Sequence, residues 1–114
     1  MYVFDFRQAQ VVEADYSEKG PMWPNVLVPY DEREAISVQV AARKAGKSPR
    51  TIRLWAEERG IGRRIAEGSW KISRVALQML LDGDREALGL YHAGNRRHPS
   101  VVAYFERLRR GEFA

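Results

Sequence analysis

A chain of 114 residues, 45% hydrophobic and 30% charged, has the make-up of one globular domain, or one small domain with arms, and not of a disordered segment. It has no cysteine, which excludes disulfides and cysteine-ligated metal sites and suits a reducing cytoplasm. Its net charge of +4 is unevenly spread: −4 over residues 1–42, +7 over 43–74 and +1 over 75–114, the footprint expected of a polyanion binder rather than of an evenly solvated surface.

Residues 1–36 read as an arm. Tyr2, Phe4 and Phe6 alternate with Val3, Asp5 and Arg7, the period of a half-buried strand. The same Asp5 and Arg7 would break the apolar core of a signal peptide, so none is expected. Ser17 to Gly20 reads as a loop, and Pro21, Pro24 and Pro29 favour an extended path after it. Trp23, Val26 and Leu27 are costly to leave in water. They must pack on the head that follows, in irregular or edge-strand form, or on a neighbouring subunit.

Ser37 is a good N-cap, and Val38, Ala41, Ala42 and Ala45 make one face of a short helix that Gly46 closes. Ser48 caps a second helix with Pro49 at its first position, where a missing N–H costs nothing. Ile52, Trp55 and Ala56 point inward, and Gly60 ends it. Two capped helices joined by a short glycine-containing turn form a helix-turn-helix arrangement. Gly62 to Ile65 and Trp70 to Ile72 flank turn chemistry and read as a hairpin, with Trp70 and Ile72 on the core side and Lys71 outward beside Arg64. Arg63 shares the inner side with Ile65. Ser73 caps a third helix with Leu77, Leu80 and Leu81 on its apolar face, stopped at Asp82-Gly83.

Beyond it, Asp84 to Tyr91 can form a short helix, broken at Gly94, and Asn95 to Pro99 is a basic loop. Ser100 caps a last helix to about Arg110, with Val101, Tyr104, Phe105 and Leu108 as its stripe. That stripe and the Trp23, Val26, Leu27 patch are candidates for subunit contact. The acidic arm against a basic neighbour would suit head-to-tail arrays. The alternative is that both segments cover their own head.

Ala41-Ala42, the run from Ser48 to Arg53, Gly60, and Trp70-Lys71-Ile72-Ser73 together resemble the excisionase-type and MerR-type winged helix-turn-helix domains, from Ser37 to Leu81. The expected fold is mainly α (α+β): a winged helix-turn-helix over 37–82 with a small β-hairpin wing, the arm over 1–36, and a C-terminal helical extension over 83–114. The resemblance implies that the second helix enters the major groove while the wing follows the adjacent backbone or minor groove.

The residue types fit that placement. Arg50 and Arg53 are the candidates for base edges, arginine pairing bidentately with guanine. Lys47, Ser48 and the free N–H groups of the helix start suit a phosphate. Thr51 can reach a phosphate or a base, and Leu54 a thymine methyl. On the wing, Arg63, Arg64, Ser69 and Lys71 are candidates for backbone contact. The competing readings are an Arg53–Glu57 pair on a solvated helix face and a structural Arg63. Trp55 and Trp70 read as core rather than stacking platforms.

His92 and His98 cannot share a helix face, and no carboxylate cluster completes a metal site around them; a phosphate or water contact, or no role, is expected. No nucleophile or acid–base pair stands out, so no enzymatic activity and no cofactor or small-molecule effector is expected. The expected partners are double-stranded DNA, further copies along it and a site-specific recombinase; no membrane is expected, since no apolar run approaches the roughly 20 residues of a span. Excisionases (recombination directionality factors) line up on neighbouring sites, bend the DNA and bias an integrase toward excision. A MerR-type regulator would follow the head with a long dimerisation helix, which the breaks at Gly94 and Pro99 do not favour. A small transcriptional regulator, a phage DNA-packaging recognition subunit and a winged protein-interaction module are the alternatives.

Overall fold

Serines set where the first helices begin. Ser37, Ser48 and Ser73 are extended, and each side chain accepts the N–H three residues on, from Val40, Thr51 and Ala76. They start α1 (Val38–Ala45), α2 (Pro49–Arg59) and α3 (Arg74–Asp82), which end on left-handed Gly46, Gly60 and Gly83. Asp84 caps α4 (Arg85–His92), and α5 spans Pro99–Arg109. The computed structural model describes residues 23–65 and 68–113. The strand expected over Tyr2, Phe4 and Phe6, the loop at Ser17 to Gly20, and the hairpin-turn residues Ala66 and Glu67 lie outside them.

The α5 start differs from expectation. His98, not Ser100, is the cap: its Nδ1 accepts the Ser100 N–H at 3.1 Å and its carbonyl accepts from Val101 and Val102. Pro99 at the first helical position needs no N–H partner, so the helix begins one residue before the serine can cap it.

Three short strands form an antiparallel sheet in the order β1 (Ala35–Ser37), β3 (Trp70–Ser73), β2 (Gly62–Arg64). The β2–β3 hairpin has a third strand alongside, drawn from the end of the arm. Register pairs Ile36 and Gly62 with Ile72, Arg63 with Lys71, and Arg64 with Trp70. Lys71 therefore lies beside Arg63, not Arg64, and Arg63 is on the face opposite Ile72. Gly62 decides this parity. A Cβ there would come within 2.6 Å of the Lys71 carbonyl and 2.7 Å of Ile72 Cδ1, so only glycine fits opposite the buried isoleucine.

One cluster of buried side chains runs from Val26 through Ile52, Ile72 and Tyr91 to Phe113. In α3 the inward residues are Val75, Ala76, Leu77 and Met79, whereas Leu81 is 42% exposed. The apolar run Val75 to Leu77 allows two helical faces, and packing against α1 and the sheet selects the one without Leu81.

The arm covers its own head. Val26 and Leu27 are buried in the common core, and Trp23 is half-buried with its Nε1–H donating to the Glu57 carbonyl at 2.7 Å. Asn25 donates to the His92 carbonyl at 2.9 Å. The α5 stripe also turns inward: Val101, Tyr104 and Leu108 are buried, and Phe105 packs against Tyr91 with ring centroids 6.3 Å apart. Val26, Leu27, Tyr104 and Leu108 thus belong to the chain's own core, with Trp23 and Phe105 partly buried against it. Without the arm and α5, Tyr91 of α4 would lose the cover of Leu27 and Phe105, and the nearest apolar surface is on the same chain. At the end of the described chain, Phe113 is buried and its carbonyl accepts from Arg74 at 3.0 Å and from Lys44. Among the described residues no helix is long and apolar enough to cross a membrane.

Candidate nucleic-acid interface

Helix α2 has two sides of different chemistry. Ile52 and Ala56 are fully buried and Trp55 is half-buried, while Arg50, Arg53, Leu54 and Glu57 face solvent. At about 100° per residue the exposed four fall within one sector. The competing Arg53–Glu57 ion pair does not form within 4.0 Å. Among the described residues no carboxylate lies that close to Lys47, Arg50, Arg53, Arg63, Arg64 or Lys71.

The helix start is self-contained. Ser48 accepts the Thr51 N–H at 3.1 Å and its hydroxyl is 3.1 Å from Thr51 Oγ1. Both side chains are thus engaged in capping. Lys47 stands 5.9 Å from the Trp55 ring centroid, a cation–π distance that holds the ammonium near the same helix.

Between the hairpin and the helices lies a groove of about 390 Å³. Arg53 of α2 forms one side. Arg64, Ser69, Trp70 and Lys71 form the other, and Ser37, Val38 and Gln39 at the start of α1 close the end. The fold thus gathers Arg53, Arg64, Ser69 and Lys71 around one space. Lys47, Ser48, Arg50, Thr51 and Leu54 belong to the adjoining α2 surface, and Arg63 does not line the groove. Arg64 lies over Trp70, 6.0 Å from its centroid, with Nε 3.5 Å from the Gly68 carbonyl. Helix α1 has no acidic residue in its first turn, so the positive end of its dipole is not offset within the helix itself. Gln39 was missed in the sequence; its only signal is its place two residues after a capping serine.

A further consequence of the fold is how α2 is held from behind. Trp23 takes up the Glu57 carbonyl, and His92 Nε2 is 2.9 Å from the Gly60 carbonyl. A carbonyl only accepts, so Nε2 carries the proton. The His92 ring is 4.3 Å from that of Trp23, and burial holds its pKa below 6.5 despite the Gly60 bond. Gly60 is at φ 69, and a Cβ there would meet the Trp23 ring at 2.6 Å. His92 Nε2 fastens the end of α2 and His98 Nδ1 caps α5, so each histidine gives one ring nitrogen to a backbone group of the chain.

The basic loop divides in the same way. Arg96 lies 4.0 Å over the Tyr91 ring and donates to the carbonyls of Tyr91, Asn25 and Val28 at 3.0, 2.7 and 3.0 Å. Arg97 is exposed. Among the described residues no group of three histidine or acidic side chains is placed to hold a metal ion. Comparison with protein-family models, with curated proteins and with solved structures found no match to this chain.

Proposed function

We propose that this chain is a sequence-specific double-stranded DNA-binding protein of winged helix-turn-helix type. In this reading α2 is the recognition helix and the β2–β3 hairpin is the wing. The observation that carries it is the exposure of Arg50 and Arg53 on the outer side of α2, with no carboxylate of the described residues within 4.0 Å of either, next to a groove edged by Arg64 and Lys71. Arg50 and Arg53 reach base edges in the major groove. Arg64, Ser69 and Lys71, with Gln39 and the α1 start, take the phosphate that crosses between helix and wing. Arg63, on the other face of the wing, meets the backbone further along.

Among such proteins the excisionase role is favoured, in which the protein assembles on neighbouring sites, bends the DNA and directs an integrase. Helix α5 lays its apolar stripe on its own core, where a MerR-type regulator would extend a dimerisation helix to a partner. Self-association along DNA is part of this reading. The protein would act on DNA in the cytoplasm, with no cofactor.

A gel shift with random duplex over a salt series tests the DNA reading, because a phosphate binder loses affinity steeply as salt rises. No binding at low salt would leave a winged protein-interaction module. Footprinting on the DNA flanking its own gene separates the roles. Protection over an attachment site is expected of the excisionase, and protection over a promoter would make it a transcriptional regulator.

A further inference from the structure

The recognition surface of α2 contains one side chain that neither the fold nor phosphate binding explains. Leu54 is 47% exposed on the side of the helix away from the core. Single exposed leucines are common on protein surfaces; the company of this one is not. Arg50 precedes it by one helical turn and Arg53 is its direct neighbour, both exposed. Of the other large apolar side chains left comparably open among the described residues, Val28, Tyr30, Ile65 and Leu81, none lies on α2.

We infer that Leu54 reads the C5-methyl group of a pyrimidine in the major groove, beside a guanine held by Arg50 or Arg53. The inference rests on the DNA-binding reading above. Thymine differs from uracil, and 5-methylcytosine from cytosine, by a methyl group exposed on the major-groove edge, and an apolar side chain is what recognises it. Residues four apart on a helix are about 5–6 Å from each other, against roughly 3.4 Å per base step along a strand. The methyl group read by Leu54 therefore lies one or two steps from a guanine read by Arg50. Glu57, one turn from Arg53 on the same side, cannot accept from a phosphate and turns the backbone away, which directs this part of the helix toward base edges.

The test uses the full chain and duplexes selected from a random-sequence library. The selected site is remade with deoxyuridine for each thymine in turn, and separately with 5-methylcytosine for each cytosine in turn. Affinities are measured by fluorescence anisotropy. The expected result is one position at which the methyl group changes affinity about fourfold, the worth of one buried carbon group. A loss on uridine exchange names thymine as the source, and a gain on cytosine methylation names 5-methylcytosine. Leu54→Ala removes that difference, and Leu54→Met, which keeps an apolar reach, retains it. Thermal melts of both variants check the fold.

If wild-type protein binds duplex but ignores every methyl exchange, the inference is overturned and the DNA reading stands. A methyl effect that survives in Leu54→Ala also overturns it, since the methyl would then act through DNA shape. Failure to bind any duplex removes the DNA reading itself.

Discussion

The Tyr91 hydroxyl donates to Glu34 Oε2 at 2.5 Å, joining helix α4 to the turn before β1 across 57 residues of sequence. Both groups are buried. The same hydroxyl accepts the Leu27 N–H at 2.9 Å, and Ser73 donates to the same carboxylate oxygen at 2.6 Å while capping α3. Arm, sheet, α3 and α4 thus meet at one carboxylate. Leu27 is held there with φ 60, a left-handed conformation that costs a non-glycine residue about 1–2 kcal/mol and that its burial offsets.

Tyr91→Phe should expose the worth of this junction. It leaves the Leu27 N–H buried without its acceptor and takes one donor from Glu34, a loss of about 1–3 kcal/mol. Urea unfolding followed by tryptophan fluorescence measures it. DNA affinity of the folded protein should not change, because α2 presents its arginines on another side.

Glu34 makes stability depend on pH in a direction opposite to that of an ordinary ion-paired carboxylate. Burial raises its pKa above 4.5, outweighing the hydrogen bonds from Ser73 and Tyr91 and the charge of Arg96. Its folded pKa exceeds its unfolded one. The contribution is therefore full below the unfolded value and is lost as pH rises through the folded value. Glu34→Gln removes the titration. The unfolding free energy of the variant minus that of wild type should grow in this window, and a flat difference from roughly pH 4 to pH 8 would contradict the assignment.

Adjacent arginines should behave differently. Arg96→Ala loses three charged hydrogen bonds to carbonyls and the stack on Tyr91, for about 2–3 kcal/mol. Arg97→Ala, at an exposed site, should stay within about 0.5 kcal/mol. Arg96→Lys should recover little, since an ammonium cannot span the same fork of acceptors. Thermal melts of the three variants decide it.

At the proposed interface the charges should show as salt dependence. Arg64→Ala and Lys71→Ala should each weaken duplex binding and reduce the slope of log affinity against log salt by about 0.9, with little change in melting temperature. Glu57→Gln should strengthen binding, by removing one negative charge from the side of α2 that faces the polyanion. An unchanged slope in both cation variants would take the groove out of the interface.

The helix boundaries were legible in the chain because capping is local. A serine side chain and the N–H it satisfies are three residues apart, and a glycine ends a helix through its own φ, so Ser37, Ser48, Ser73, Gly46, Gly60 and Gly83 announce α1, α2 and α3. The outward Arg50 and Arg53 follow from helical period alone. Tertiary structure decided what each remaining polar group does, because its partners are distant in sequence and are often carbonyls that have no sequence signature. Arg96 and Arg97 read alike until Asn25 and Val28 are brought to one of them, and nothing near His92 in sequence announces its bond to the Gly60 carbonyl. The parity of Arg63 and Arg64 was set by the space Ile72 needs opposite Gly62. That Val26 and Leu27 enter the core of their own head depended on which apolar surface lay nearest once the chain had closed on itself.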